Sequence, residues 1–138
     1  MEQLEVMETK LTNADYDYFT LECKRYADLL GLDDWQIGMA FNFITDNTGA
    51  EVTYIYNQHQ AIITLSTLWR NLPVTQENLS KMAFHEVLHI VMTDLEGVAV
   101  LEGLPHETLV SLIDREQHKI IRRFENVFFD YVKPKDAA

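Results

Sequence analysis

Residues 83–91 read Ala-Phe-His-Glu-Val-Leu-His-Ile-Val, an almost wholly apolar stretch that carries three ionisable side chains. The spacing of its apolar residues predicts a helix that is buried on nearly every side. His85 and His89 are four residues apart, so they lie on neighbouring turns of one helix face. Burying these histidines together with Glu86 is costly unless the three side chains bond to one another or to a metal ion. We therefore expect this helix to be the centre of the domain.

The spacing His-Glu-x-x-His indicates one particular metal chemistry. Zn²⁺ binds neutral imidazole nitrogens at about 2.0–2.1 Å, and a catalytic zinc site keeps one position open beside three protein ligands. His85 and His89 supply two of those ligands. Glu86 follows the first histidine, so its carboxylate can face the open position and take a proton from the attacking water. We predict a Zn²⁺ site with Glu86 as the general base.

The alternative interpretation of the same residues is purely structural. It makes His85 and His89 a pair of core or surface histidines and places Glu86 in an ordinary hydrogen bond or salt bridge. When the residues of this chain are shuffled at random, the expected number of His-Glu-x-x-His matches is roughly 0.01. The metal site is therefore the favoured interpretation.

The third zinc ligand has to come from another element. Apolar spacing predicts a helix over about 105–131, which follows a loop over 96–104. The candidate ligands on this helix are His106, Glu107, Asp114, Glu116 and His118. Glu116 lies in the apolar sector of the helical wheel, to which Phe124 also belongs, and a buried acid needs a cation. Glu116 is therefore the predicted third metal ligand.

Alternatives to Glu116 stay open. Its carboxylate can instead form an ion pair with Lys119 or Arg123 on its own helix. Asp114 and His118 are the reserve ligands, although His118 points away from the apolar sector. Acids such as Asp114 also suit a supporting role, in which they orient the imidazole ligands through hydrogen bonds.

The rest of the chain predicts the elements around the central helix. Apolar spacing and Gly31 predict a first helix over 13–30. Period-two alternation and β-prone runs predict strands over 35–43, 51–56 and 61–65. Pro73 interrupts the chain, and Thr75 is a suitable N-cap for a helix that runs to about Leu95. The fold class is α+β: an N-terminal helix, a sheet of about three strands, a buried central helix and a long C-terminal helix.

Size and charge limit the classes of function. The 138 residues, 47% of them hydrophobic, suit one domain over residues 1–138, of which the polar residues 1–12 need not be ordered. The net charge of −11, without a basic cluster, disfavours nucleic acid as a partner. No apolar run reaches membrane-spanning length and the N-terminus does not resemble a secretory signal, so we expect a cytoplasmic protein without a membrane partner. The lone Cys23 is interpreted as an ordinary helix residue.

The residues at 85–89 resemble the motif of the zincin metallopeptidases, and with a Glu on a later helix they resemble the gluzincin arrangement in minimal form. Most of the chain is similar to small phage and prophage metallopeptidases, through Leu-x-Gly-Leu-x-Asp-Trp at 29–35, the strand at 61–65 and Asp-Arg-Glu at 114–116. The resemblance implies a zincin-like fold, bound zinc and a peptide or protein substrate aligned beside strand 61–65 or its neighbour. The metzincin pattern has a third histidine soon after the motif, and residues 92–97 contain none. The metzincin interpretation is therefore disfavoured.

The predicted activity is peptide hydrolysis, in which zinc polarises the scissile carbonyl and Glu86 moves a proton from water to the leaving amine. One alternative is an inactive, zinc-stabilised interaction module. Another is a metal-dependent hydrolase of a non-peptide substrate, although the scarcity of basic residues disfavours phosphodiesters. No motif identifies the oxyanion-stabilising group, for which the candidates are His106, Tyr54, Tyr56 and Tyr131.

Overall fold

The computed structural model describes residues 7–55, 58–93 and 106–134 of the chain. Within these ranges the chain forms three helices and two small sheets, a mixed α+β arrangement. In chain order the elements are β1 (Glu8–Lys10), α1 (Asn13–Leu29), β2 (Gln36–Phe41), β3 (Ala50–Ile55), β4 (Gln60–Leu65), β5 (Leu68–Arg70), α2 (Gln76–Val91) and α3 (His106–Val132). No described helix combines the length and the apolar character that a bilayer crossing requires.

The larger sheet has the strand order β2-β4-β3. β4 runs parallel to β2 and antiparallel to β3, so the central strand is paired on both sides. Its alternate residues Ala61, Ile63 and Leu65 are buried because one face of the sheet packs on the helices. β3 contacts α2 and, within the described residues, pairs only with β4. β3 therefore lies next to the helix that carries the histidines.

A buried polar network joins α1 to α2. The Ser80 hydroxyl donates to the Glu22 carboxylate at 2.7 Å and lies 2.6 Å from the Tyr26 hydroxyl, which must then be the donor to Ser80. Arg25 completes the network, because its guanidinium bonds to Glu22 and also donates to the carbonyl of Val132 at 2.7 Å. These bonds satisfy a carboxylate that is only 3% exposed and fix the spacing of all three helices.

The small sheet holds the β2–β3 loop against α2. β5 pairs antiparallel with β1, and its buried Trp69 donates an indole hydrogen bond to the carbonyl of Gly49 at 3.0 Å. A side chain at position 49 would meet the methyl carbon of Met82 at 2.7 Å and the indole nitrogen of Trp69 at 2.9 Å. Only glycine, which has no side chain, fits this close approach. The close packing and the hydrogen bond from Trp69 hold the loop beside α2.

The predicted elements agree with the structure in type and order. The first helix and the three predicted strands lie within two residues of their expected bounds, and α2 ends at Val91 rather than near Leu95. Two short strands, β1 and β5, were not predicted, and β1 occupies three of the N-terminal residues 1–12. Strand 61–65, proposed as one of two places for a substrate backbone, is the central strand, so its backbone is already paired on both sides. The loop over 96–104 lies outside the described residues.

Candidate metal centre

The motif side chains project from the last two turns of α2. Thr75 caps the helix by accepting a hydrogen bond from the backbone of Asn78 at 3.1 Å, so α2 begins at Gln76. Ala83, Phe84, Val87, Leu88 and Ile90 are buried around the motif, as the apolar sequence predicts. Glu86 is 4% exposed, and no side-chain hydrogen bond joins it to any described residue. His85 and His89 are partly exposed and face the same side.

The two motif histidines have the separation that a shared tetrahedral metal requires. Their Nε2 atoms lie 3.2 Å apart. Two nitrogens bound tetrahedrally at about 2.05 Å from one ion would be about 3.3 Å apart. The Nδ1 atom of His85 lies 2.6 Å from a carboxylate oxygen of Glu125, which can only accept when it is ionised. The proton of a neutral His85 is therefore on Nδ1, which leaves the Nε2 lone pair available to an ion.

His118 on α3 completes a group of three potential ligands. One ligand atom from each of His85, His89 and His118 lies within 4.8 Å of the others. The Nδ1 atom of His118 donates to the backbone carbonyl of Asp114 at 2.8 Å, so its Nε2 is free to bind a cation when the ring is neutral. Among the described residues this is the only such group of histidines, cysteines or carboxylates, and the three histidines lie close enough to bind one metal ion.

The described parts of α3 place its predicted site residues in different surroundings. His118, a reserve candidate, joins the motif histidines, and Asp114 lines the cleft beside them. The side chains of Glu116 and His106 lie outside the described residues, so the choice of Glu116 as ligand stays a prediction. Phe124 is 36% exposed, although the wheel put it in the apolar sector. Among the side chains of α3 that the structure describes, Gln117, Ile121 and Phe129 are buried, and His118 follows Gln117 at the side that meets α2.

An open cleft of about 430 Å³ lies over the histidines. Its walls come from the β2–β3 loop, from β3, from α2 and from α3. The lining residues are Asp46, Thr48, Ala50, Glu51, Val52, Tyr54, His85, Glu86, His89, Asp114, Gln117 and His118. Of the oxyanion candidates, Tyr54 lines this cleft, Tyr131 is 85% exposed and Tyr56 lies outside the described residues.

Burial and neighbouring charges shift the pKa values of all three motif side chains. Burial raises the pKa of Glu86 to about 8; the charge of His85 opposes this rise, and those of Glu51 and Glu125 add to it. Burial lowers the pKa of His89 to about 4, and repulsion by His85 and His118 acts in the same direction. Burial also lowers the pKa of His85, but the hydrogen bond to Glu125 and the charges of Glu86 and Glu125 outweigh it and raise the pKa. His89 is therefore a neutral imidazole at pH 7, the form that binds metal.

Sequence reasoning did not identify Glu125 or Gln117 as parts of this centre. Glu125 lies two helical turns after His118, a spacing that puts both residues on one face of α3. That spacing is a signal in the sequence, but several other acids of the chain are equally compatible with a supporting role. Gln117 is 3% exposed and donates to the carbonyl of Met92 at 3.3 Å, so it ties α3 to the end of α2 beside His89.

Comparison of the chain with protein-family models, with curated proteins and with solved structures finds no match. The function of the centre therefore has to be argued from its own geometry and chemistry.

Proposed function

We propose that this chain is a zinc-dependent metallopeptidase with a minimal zincin-like fold, which binds its metal through His85, His89 and His118. The observation that carries the proposal is the meeting of three imidazoles with the buried carboxylate of Glu86 at one open cleft. Three imidazole nitrogen ligands and one side open to solvent are the donor set of a catalytic zinc site rather than of a closed structural one. Glu116 remains the alternative third ligand.

The side chains around the metal have distinct roles in this proposal. Bound zinc would supply Lewis acidity that polarises the scissile carbonyl and activates water. Glu86 accepts the proton of the attacking water and returns it to the leaving amine. A cation held by the neighbouring histidines would lower the raised pKa of Glu86 and make its carboxylate a base at neutral pH. Glu125 holds the ring of His85 in the tautomer that presents Nε2 to the metal.

The edge strand β3 gives a peptide a place to lie. Val52 and Tyr54 line the cleft, and within the described residues the outer edge of β3 carries no partner strand. An extended peptide can add to such an edge through main-chain hydrogen bonds. β3 is the neighbour of strand 61–65, so it takes over the aligning role that the central strand cannot have.

Replacing Glu86 with Gln tests the proposal. The variant should bind zinc at the wild-type stoichiometry but lose at least about 100-fold in kcat, because an amide cannot accept the proton. Zinc content by elemental analysis and cleavage of internally quenched peptides are the two measurements. Glu77→Gln is the matched control, because Glu77 is exposed at the start of the same helix and should keep both zinc and activity.

Equal peptide cleavage by wild type and Glu86→Gln would end the assignment of the base. A wild-type protein that binds zinc but cuts no peptide would favour the inactive, zinc-stabilised interaction module. The other alternative is a metal-dependent hydrolase of a non-peptide substrate, and for it the carboxylates that line the cleft disfavour anionic substrates such as phosphodiesters.

A further inference from the structure

The cleft over the histidines is lined by carboxylates from three separate elements. Asp46 comes from the β2–β3 loop, Glu51 from β3 and Asp114 from α3, and no described lining residue is a lysine or an arginine. The fourth carboxylate, Glu86, is 4% exposed and has no hydrogen-bond partner among the described residues. Because Glu86 lines the open cleft, a ligand in the cleft can supply the partner that this carboxylate lacks.

Of the exposed carboxylates that line the cleft, Asp46 is held in place by hydrogen bonds of its loop. Asp46 accepts a hydrogen bond from the backbone of Thr48 at 3.3 Å, and the loop that carries it is fixed by the bond from Trp69 to Gly49. Glu51 is exposed on β3 and lines the same cleft as Glu86. Within the described residues none of Asp46, Glu51 and Asp114 pairs with a lysine or an arginine.

The residues that line the cleft keep a surplus of formal negative charge even when a divalent ion is counted. Asp46, Glu51 and Asp114 carry three negative charges, which exceed the two positive charges of one divalent ion even with Glu86 left out. A cleft lined by one sign of charge attracts and selects ligands of the opposite sign. The chain as a whole, with a net charge of −11, acts in the same direction.

We infer that the cleft selects peptides that carry lysine or arginine beside the bond to be cut, with Glu51 and Asp46 as the specificity-determining side chains. This inference rests on the proposed peptidase function for the reaction. The proposed cause of the selection is attraction between the cationic side chains of the peptide and the carboxylates of the cleft. The preference for lysine or arginine should therefore weaken as added salt screens the exposed charges.

The test uses the zinc-loaded full chain and three internally quenched peptides that are identical except for Lys, Gln or Glu on both sides of the central bond. Wild type should cleave the Lys peptide about tenfold faster, as kcat/KM, than the Gln peptide, and the Glu peptide slowest. Zinc-loaded Glu86→Gln should bind the peptides in the same order, measured by fluorescence anisotropy without turnover.

Two variants and one control assign the effect to the cleft. Glu51→Gln and Asp46→Asn should each reduce the preference for Lys roughly two- to fivefold, the range expected for a partly exposed ion pair. Asn keeps the turn at position 46 because its side-chain oxygen can still accept from the backbone. Asp17→Asn removes the same charge from an exposed site on α1 and should leave the preference unchanged.

Equal cleavage and equal binding of the three peptides, or no binding of any of them, would overturn the charge selection. Selective binding of the Lys peptide without cleavage by wild type would instead remove the peptidase function and leave the cationic preference of the cleft standing. If Asp17→Asn reduces the preference for the Lys peptide as much as Glu51→Gln does, the preference comes from the net charge of the chain, and the inference is wrong.

Discussion

At the scale of single residues, two side chains of α3 compete for the role of third ligand in the proposed metal site. His118 and Glu116 are two residues apart, and one face of a helix can offer only one of them to the same ion. The geometry favours His118, because its ligand atom lies within 4.8 Å of those of His85 and His89.

Alanine at each position separates the two ligands. His118→Ala should weaken zinc binding by more than about 100-fold, beyond the usual effect of a residue that only supports a ligand. Glu116→Ala should bind zinc almost as the wild type does. Competition with a chromophoric chelator measures both affinities. The opposite ranking would return the third-ligand assignment to Glu116.

The hydrogen bond from His85 to Glu125 gives a second prediction. Glu125→Ala removes the acceptor that fixes the His85 ring and should weaken zinc binding roughly 10- to 100-fold, while Glu125→Gln, which keeps an acceptor oxygen, should fall between that variant and wild type. Glu77→Ala, at an exposed position of α2, is the control. Unchanged zinc affinity in Glu125→Ala would show that the bond does not support the metal.

Local spacing identified the motif residues of this centre, whereas on α3 the apolar pattern favoured Glu116 and kept His118 and Asp114 only as reserve ligands. His85, Glu86 and His89 are fixed by local spacing, since a helix brings residues four apart onto one face whatever surrounds it. The partners from α3 depend on how that helix rotates against α2, which is decided by packing of Gln117, Ile121 and Phe129. Glu125 and Gln117 could not be chosen from a helical wheel that counts only apolar residues.

At the scale of elements, the network between α1 and α2 should make stability depend on pH. Burial raises the pKa of Glu22, but hydrogen bonds from Arg25 and Ser80, with the charge of Arg25, outweigh it and lower the pKa below its ordinary value. A carboxyl with a lowered pKa stabilises the folded state above its unfolded pKa of about 4.3, and the contribution is lost as the pH falls through the folded value.

Glu22→Gln should therefore lower the free energy of unfolding by about 1–3 kcal/mol at pH 7. The gap between variant and wild type should close as the pH is lowered below 4, because protonated Glu22 resembles the amide. Urea unfolding at a series of pH values measures it, with the exposed Asp17→Asn on the same helix as control. A gap that stays constant from pH 7 to acid would contradict the assigned cause.

The helices and the three longer strands could be predicted because the apolar residues of each recur over at least two helical turns or over two pairs of alternating strand residues. β1 and β5 have three residues each, too few for a period to be visible. Strand order could not be predicted either. β4 follows β3 by a short connection but also pairs with β2, and only tertiary packing shows that it is the central strand.

At the scale of the whole molecule, the candidate ligands come from two helices that a bound ion would join. Zinc that binds the folded chain only should raise the free energy of unfolding by about 2.7 kcal/mol when free zinc is 100 times its dissociation constant. Thermal unfolding with zinc and with a chelator measures the difference. His118→Ala should lose most of it, and equal melting temperatures with and without zinc would contradict a metal site that spans α2 and α3.

The position of Trp69 gives the molecule a built-in optical probe. The chain has two tryptophans, and Trp35 stacks on His59 with the ring centroids 4.9 Å apart, whereas Trp69 is buried beside Gly49 and Met82. A Trp35→Phe protein would emit from Trp69 alone, next to the loop that carries Asp46. Its emission would then follow events in the neighbouring cleft in real time, without any attached dye.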